Sequence, residues 1–201
     1  MITILDYSVN NLRSVQKAFE HLGHTTNVTS DPDEVARAEK LVLPGVGAFG
    51  EAMRNLNARE LVEPILTAVG QGVPVLGVCL GMQLLFDWSE EMGVHQGLGI
   101  VSGKVARFPE DPGLKVPHMG WSRLEFPVQS HLFAGLPQGE MAYFVHSYHV
   151  VPEDAEVIAA LAHHGAPFVA GIERSNVMGA QFHPEKSSAA GLKILDNFAK
   201  L

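Results

Sequence analysis

The sequence predicts an α/β fold, in which a mostly parallel sheet is flanked by helices and joined by an added, largely antiparallel segment. In the first half, short apolar runs typical of buried strands alternate with helical periodicity, which favours a parallel sheet. From about residue 99 the pattern changes to short strands separated by Gly, Pro and Asn/Asp turns. Neither a linker nor a repeat separates the halves, so we expect one domain over residues 1–201.

The elements of the first half can be assigned in order. Buried strands are predicted wherever a short apolar run occurs, at residues 2–5, 41–43 and 73–78. Helical periodicity predicts helices at residues 11–22, 32–38, 51–57 and 60–69. The second helix has the clearest start, because Asp31 is a good N-cap and Pro32 suits the first helical position. In sheets of this kind, ligands bind at the C-terminal ends of the parallel strands.

The second half is predicted to consist mainly of strands. They are expected at residues 104–108, 116–126, 141–151, 157–162, 168–173 and 176–182. The apolar residues between Leu192 and Ala199 recur at helical spacing, which predicts an amphipathic helix at the C-terminus.

Composition and charge exclude several classes of protein. The chain is 46% hydrophobic and 18% charged, as in ordinary globular domains. Its formal charge of −8, with 14 Lys and Arg residues, offers no basic surface for nucleic acid or for an anionic membrane, so neither partner is expected. The first residues lack the pattern of a signal peptide, no apolar run approaches membrane-spanning length, and the single cysteine can form no intrachain disulfide. A cytoplasmic protein is therefore predicted.

That single cysteine, Cys79, lies where a predicted strand meets a predicted helix. After it, apolar residues recur at helical spacing as far as Gly93, namely Leu84, Leu85, Trp88 and Met92. The segment Gly77-Val78-Cys79-Leu80-Gly81 has the form of a nucleophile elbow, whose glycines make room for a sharp turn. Such a turn exposes the sulfur at a helix N-terminus, which favours the thiolate, and makes the Leu80 N–H an oxyanion donor. The alternative is that Cys79 is a small buried apolar residue.

His183 and Glu185 are the residues best placed to serve Cys79 as base and orienting acid. They flank Pro184 directly after a predicted apolar strand. Proline disfavours helical backbone at the residue before it, so we expect extended chain in which both side chains project to the same side. A carboxylate in that position can fix the imidazole tautomer and stabilise the imidazolium.

Ten histidines occur in the chain, so His183 has rivals. His118, His146 and His149 are the main ones, but none has a carboxylate placed as Glu185 is. No Cys/His cluster has the spacing of zinc ligands, and we therefore expect no metal site.

The segment Gly45–Gly50 fits the G-x-G-x-x-G pattern of dinucleotide-binding loops. The cofactor hypothesis is disfavoured, because this segment does not follow the first strand and the next strand ends at Cys79 rather than at a ribose-binding acid. Glycine-flanked amides at the end of a neighbouring strand can instead point an N–H toward the elbow as a second oxyanion donor. We expect no cofactor, and a simple tight turn remains the other alternative.

Three segments together resemble the class I (triad) glutamine amidotransferases: Pro44-Gly45-Val46-Gly47, Gly77-Val78-Cys79-Leu80-Gly81-Met82-Gln83 and Phe182-His183-Pro184-Glu185. They occur in the order of that family and span nearly the whole chain. The resemblance implies a flavodoxin-like fold and a cysteine that attacks the side-chain amide of L-glutamine to release ammonia. Further segments, at residues 117–121, 143–148 and 181–187, are similar to the glutaminase subunits of imidazole glycerol phosphate synthases, whose partner is a cyclase subunit.

The resemblance also implies a role for individual residues. The catalytic triad would be Cys79, His183 and Glu185, and the oxyanion would be stabilised by the amides of Val46 and Leu80. Glutamine would be bound by Gly47, Gln83, Glu91, Ser147 and Tyr148, with Gln83 and Glu91 two turns apart on the helix after the cysteine. The face toward the cyclase partner would include Asn11, Trp121 and Lys186.

Two segments depart from the family pattern. The usual Tyr-Gly-x-Gly-Asn-Leu near the start is Tyr7-Ser8-Val9-Asn10-Asn11-Leu12 here, so the loop must form without glycine, and the usual asparagine after Trp121 is Ser122. Three alternatives stay open at this point. They are a glutaminase of another pathway such as pyridoxal phosphate synthesis, a cysteine peptidase or γ-glutamyl hydrolase, and a catalytically silent nucleotide-binding regulator that uses Gly45–Gly50.

Overall fold

A computed structural model describes residues 1–109 and 113–201. Its strands are β1 (Ile2–Leu5), β2 (Thr26–Thr29), β3 (Leu41–Leu43), β4 (Val75–Val78), β5 (Phe86–Ser89), β6 (His95–Gln96), β7 (Val101–Arg107), β8 (His118–Arg123), β9 (Met141–His146), β10 (Tyr148–Pro152), β11 (Ile158–His164), β12 (Ala166–Arg174) and β13 (Val177–Ala180). Its α-helices are α1 (Leu12–His21), α2 (Pro32–Ala36), α3 (Phe49–Ala58), α4 (Val62–Gly70), α5 (Leu80–Leu84) and α6 (Ser188–Ala199). Short 3₁₀ turns occur at Ala155–Val157 and Pro184–Lys186.

A seven-stranded sheet with the order β11-β12-β13-β4-β3-β1-β2 forms the centre of the fold. The five strands from β13 to β2 are parallel, whereas β12 and β11 are antiparallel additions at one edge. Strand β4 lies between β3 and β13, so the C-terminal ends Leu43, Val78 and Ala180 meet at one edge of the sheet. This is the edge at which such sheets bind ligands.

Both faces of this sheet are covered, which explains why its central strands β3 and β4 are continuous apolar runs. Side chains alternate along each strand, so Leu41 and Leu43 enter one core while Val42 enters the other. Helices α2, α3 and α4 contribute to the first core. Helices α1 and α6 contribute to the second, where the rings of Phe19 and Phe198 lie 6.4 Å apart.

The remaining strands form two smaller sheets. One has the order β10-β7-β5-β6, and the other is the antiparallel pair β8 and β9. Within the four-stranded sheet only β5 and β7 are parallel. The predicted fold class, a mostly parallel sheet with a largely antiparallel added segment, is therefore confirmed.

The predicted helix from the cysteine to Gly93 is wrong. Helix α5 ends at Leu84 and strand β5 follows, because the backbone there pairs with other strands: the Leu85 carbonyl accepts from the N–H groups of Ile100 and Val101. Met92, whose position fits the helical spacing, is 88% exposed and has a positive φ of 55°. Tertiary pairing overrides local periodicity here. The polar strand β2 and the two-residue strand β6 were not predicted, because neither contains a run of apolar residues.

Candidate active site

Cys79 occupies the sharp turn between β4 and α5, as the predicted elbow requires. Its φ of 53° and ψ of −109° lie in a sparsely populated region for a residue with a side chain. A Cβ at Gly81 would lie 1.7 Å from the Leu43 carbonyl oxygen, and one at Gly77 would lie 2.6 Å from Met82 Cα. Both glycines are needed because the start of the helix packs directly against the sheet.

His183 and Glu185 form a buried pair. His183 Nδ1 donates to Glu185 Oε1 at 2.9 Å, and the two side chains are 0% and 1% exposed. Asn11, at the start of α1, donates through Nδ2 to the same carboxylate oxygen at 2.7 Å. The left-handed backbone of Asn11, with φ 79°, presents this side chain without a glycine in the loop, since asparagine tolerates that conformation.

The backbone of this pair differs from the extended chain that was predicted. His183 is extended, but Pro184–Lys186 forms a 3₁₀ turn. The turn is closed by the His183 carbonyl, which accepts from Lys186 N–H at 3.0 Å and from Ser187 Oγ at 2.7 Å. The expected carboxylate–imidazole contact is therefore present, but a tight turn produces it.

The electrostatics of the site favour a protonated His183. Burial by itself lowers the pKa of His183, but its interactions with Cys79 and Glu185 outweigh burial and raise that pKa to about 10. Burial likewise raises the pKa of Glu185, yet the hydrogen bonds and charge of its partners hold it below its ordinary value. Nε2 of His183 is buried and has no well-aligned hydrogen-bond partner among the described residues. The arrangement suits a thiolate, an imidazolium and a carboxylate in series.

The two amides expected to stabilise an oxyanion are not both free in this conformation. Leu80 N–H donates to the Gly45 carbonyl at 3.3 Å. Because the C=O and N–H of a trans peptide point in opposite directions, the Val46 N–H of the same peptide points away from Leu80. Tyr7 Oη donates to the Pro44 carbonyl at 2.5 Å, which holds Pro44 in place directly before Gly45. A rotation of the Gly45–Val46 peptide would release Leu80 N–H and turn Val46 N–H toward the elbow.

A cavity of about 320 Å³ opens beside the sulfur of Cys79. Its lining includes the five residues expected to bind glutamine, which are Gly47, Gln83, Glu91, Ser147 and Tyr148. The prediction that Glu91 and Gln83 share a helix is wrong. Glu91 reaches the cavity from the turn after β5. One of its oxygens accepts from Phe49 N–H at 2.7 Å, which caps the N-terminus of α3. The described residues include no group of three or more His, Cys, Asp or Glu side chains that could hold a metal.

Comparisons with known proteins show the family to which the chain belongs. The family model described as "Glutamine amidotransferase class-I" matches residues 3–201. This chain belongs to the class I glutamine amidotransferases. The proteins named imidazole glycerol phosphate synthase subunit HisH from Syntrophotalea carbinolica and Aquifex aeolicus are 56% and 50% identical to it, over 100% and 98% of this chain and 100% and 95% of their own.

Solved structures share the fold at lower sequence identity. A crystal structure described as a glutamine amidotransferase superposes with a TM-score of 0.77 at 17% identity, covering 100% of this chain and 99% of that one. The PurLQS structure from Thermotoga maritima gives a TM-score of 0.75 at 20% identity, covering 99% and 97%. No helix among the described residues of this amidotransferase is long and apolar enough to cross a membrane.

The rival histidines of this amidotransferase lie in an aromatic cluster, although one of them, His146, also lines the cavity beside Cys79. His146 is buried among Phe108, Phe144 and Phe168, at ring-centroid distances of 5.2 to 5.7 Å. Burial lowers its pKa to about 3, and its Nδ1 donates to the Tyr148 carbonyl at 2.8 Å. Burial also lowers the pKa of His118 to about 4 and that of His149 below its ordinary value. Neutral, packed imidazoles of this kind support the cavity wall.

Gln181 is a buried polar residue at the site to which sequence reasoning assigned no role. Its Nε2 lies 3.8 Å from Cys79 Sγ, and its Oε1 accepts from Gln83 Nε2 at 3.1 Å. Its sequence signals are its place at the end of an apolar strand, two residues before His183, and its position at the start of the segment 181–187 that resembles the glutaminase subunits.

The three residues expected at a partner interface lie in different surroundings. Trp121 is 48% exposed, with its ring 5.9 Å from that of Tyr143 across the β8–β9 pair. Lys186 is exposed in the turn after His183, whereas Asn11 is half-buried and contacts Glu185.

Proposed function

We propose that this chain is the glutaminase subunit of an imidazole glycerol phosphate synthase. The observation that carries the proposal is the conjunction of Cys79 on a strained elbow with a buried His183–Glu185 pair beside a glutamine-sized cavity. Full-length relatives at 50 to 56% identity carry the name of that subunit. We also propose that residues 1–201 act as one amidotransferase domain, located in the cytoplasm.

The reaction begins with glutamine in the cavity and the thiolate of Cys79 facing its side-chain amide. The sulfur adds to the amide carbon, and His183, which is held protonated by its neighbours, gives its proton to the departing ammonia. Glu185 stabilises the imidazolium before that transfer and keeps the ring in one tautomer. Neutral His183 then takes a proton from water, which hydrolyses the thioester to glutamate.

Glutamine is bound by groups of complementary charge. The carboxylate of Glu91 suits the α-ammonium group of the substrate, and Gln83, Ser147 and Tyr148 offer polar contacts on the same wall. The oxyanion that forms on the amide oxygen needs donors that this conformation does not present, because Leu80 N–H is bound to Gly45. We therefore propose that the Gly45–Val46 peptide rotates during turnover, which supplies the amides of Leu80 and Val46 together.

Ammonia then passes to a cyclase subunit, which forms imidazole glycerol phosphate and aminoimidazole carboxamide ribotide. The exposed Trp121 and Lys186 are proposed to contact that partner, since both lie on segments adjoining the site: Trp121 pairs with Tyr143, whose carbonyl accepts from His183 N–H at 3.0 Å. Asn11 is proposed to connect the same face to the triad through Glu185.

The test is a reconstitution with the cyclase subunit. Cys79→Ala should abolish product formation from glutamine but leave formation from ammonium salts intact, because only the ammonia source is lost. A matched Ala134→Ser variant, in an exposed loop away from the cavity, should retain both activities. Loss of the ammonium-dependent activity in Cys79→Ala would contradict the proposed division between two sites. Unchanged glutamine-dependent activity would contradict the assignment of Cys79.

The substrate can be tested on this chain alone. An electrophilic glutamine analogue should label Cys79 stoichiometrically, and excess glutamine should protect it, because binding in the cavity provides the orientation. Labelling that glutamine does not slow would refute the substrate assignment.

A further inference from the structure

Gln181 lies beside the nucleophile because two parallel strands end side by side. It directly follows β13 as Cys79 directly follows β4, and Ala180 is in register with Val78. Cys79 N–H donates to the Ala180 carbonyl at 2.7 Å, which holds the two chain ends together. The Gln181 side chain is completely buried, and its Nε2 lies 3.8 Å from Cys79 Sγ, within hydrogen-bonding range of a sulfur acceptor.

The neighbours of Gln181 determine which end of its amide faces the sulfur. The Tyr148 carbonyl can only accept, so the Gln83 atom at 2.9 Å from it must be the nitrogen Nε2. The same nitrogen lies 3.1 Å from Gln181 and donates to its oxygen Oε1. Gln181 therefore turns its nitrogen Nε2 toward Cys79. The hydrogen-bond network, through the Tyr148 carbonyl and Gln83 Nε2, distinguishes this nitrogen from the amide oxygen.

The Tyr148 carbonyl, which orients Gln83, is also held in place. The Tyr148 carbonyl accepts a second hydrogen bond from His146 Nδ1 at 2.8 Å. His146 is packed among aromatic rings, and its remaining nitrogen has no partner among the residues described, so the neutral tautomer with hydrogen on Nδ1 is retained. The donor that faces Cys79 is thus preorganised by a continuous set of buried and partly buried hydrogen bonds.

We propose that Gln181 is a further catalytic residue, whose side-chain amide donates a hydrogen bond to the Cys79 sulfur and stabilises the thiolate that attacks glutamine. The inference rests on the function proposed above. A charged sulfur accepts a hydrogen bond more strongly than a neutral thiol sulfur does, so the contact from Gln181 stabilises the nucleophilic form of Cys79. Gln181 thereby favours the charged sulfur that attacks glutamine over the neutral thiol.

The test is the pH dependence of alkylation by iodoacetamide, measured without glutamine. Cys79 is the only cysteine, so the rate reports one sulfur. Gln181→Met keeps the approximate shape and removes the donor, and it should move the midpoint of the alkylation profile upward by about one pH unit. Gln83→Met, which frees the Gln181 amide to rotate, should produce a smaller upward shift. Gln71→Met makes the same substitution at an exposed helix end and should produce none.

A purely structural role would give a different result: Gln181→Met would lower the melting temperature and leave the alkylation midpoint where it is, which would overturn the proposal. Should that variant not fold, the side-chain ¹⁵N–¹H signals of Gln181 in the unsubstituted protein decide the question. They should shift with pH at the alkylation midpoint, and that shift should vanish in Cys79→Ala. Signals that do not follow the midpoint would refute the contact.

Neither measurement uses glutamine, so the two proposals can fail separately. A protein that hydrolyses glutamine while Gln181→Met keeps its alkylation midpoint contradicts only the role of Gln181. A shifted midpoint in a protein that cannot hydrolyse glutamine supports the contact and contradicts the proposed function.

Discussion

Replacing Glu185 by glutamine tests the charge of the triad without removing its hydrogen bonds. In the native protein, Glu185 Oε1 accepts from both His183 Nδ1 and Asn11 Nδ2, at 2.9 and 2.7 Å. In Glu185→Gln the new amide should turn its oxygen toward these two donors, because its nitrogen would face them without an acceptor. The tautomer of His183 is then preserved, and only the negative charge is lost.

The expected magnitude follows from the burial of the pair. Both side chains are almost inaccessible, and a hydrogen bond to a charged group is worth about 1.5 to 3 kcal/mol. Losing the charge should therefore lower the pKa of His183 by about 1 to 2 units, since one unit corresponds to about 1.4 kcal/mol. We expect a loss of about 2 kcal/mol in the free energy of unfolding near pH 6. Glutamine hydrolysis should fall about 100-fold, within the range typical of weakened acid–base catalysis.

The pH dependence has a defined direction. The pKa of His183 is raised above 6.5, so its stabilising contribution is complete below about pH 6.5 and is lost as the pH rises toward about 10. The pKa of Glu185 is lowered below 4.5, so its contribution is complete above about pH 4.5 and is lost as the pH falls. The difference in unfolding free energy between the native protein and Glu185→Gln should be largest between these limits.

The assay is urea unfolding of both proteins at pH 5.5, 7.5 and 9.5, together with glutamine turnover. Glu63→Gln, at an exposed position of α4, is the matched control and should change the unfolding free energy by less than about 0.5 kcal/mol. A penalty that grows steadily toward pH 9.5 would refute the reasoning about His183. A loss of activity beyond about 10⁴-fold with unchanged stability would instead indicate a wrong tautomer.

Three further predictions concern the elbow, the partner face and the glycine segment. Gly81→Ala should lower the free energy of unfolding by more than about 3 kcal/mol and abolish glutaminase activity, because its Cβ would lie 1.7 Å from the Leu43 carbonyl oxygen. The Cβ of the control variant Gly70→Ala meets nothing within 4 Å, so this substitution should change the melting temperature little. Trp121→Ala should lower the free energy of unfolding by less than about 1 kcal/mol, since the side chain is half exposed, and should weaken binding to the cyclase measured by calorimetry. A loss of about 3 kcal/mol or more in unfolding free energy would instead identify Trp121 as a core residue. NAD and ATP should leave the melting temperature unchanged, whereas a ligand at a hundred times its Kd would stabilise by about 2.7 kcal/mol, and such a shift would restore the nucleotide hypothesis for Gly45–Gly50.

Much of the fold and the centre of the site could be predicted from the sequence by itself. Strands β1, β3 and β4 are buried at every position because both faces of the sheet are covered, and apart from Thr3 they are apolar, so each is recognisable from a short run of residues. The elbow is equally local, since Gly77 and Gly81 flank Cys79 within five residues. The pairing of His183 with Glu185 also needs only neighbouring residues, although the turn that brings them together was not foreseen.

Tertiary structure decided the features whose partners are distant in the chain. The segment after Leu84 becomes a strand because it pairs with β7, a contact that outweighs its own helical periodicity. The state of the oxyanion loop depends on a hydrogen bond between Leu80 and Gly45. The orientation of Gln181 depends on Gln83, which lies 98 residues away in the chain. Local patterns encode burial and backbone strain, because each residue experiences these directly. The direction of a buried hydrogen bond depends on whether the fold places a donor or an acceptor next to the side chain. That neighbouring group comes from a distant part of the chain, so only the tertiary structure determines it.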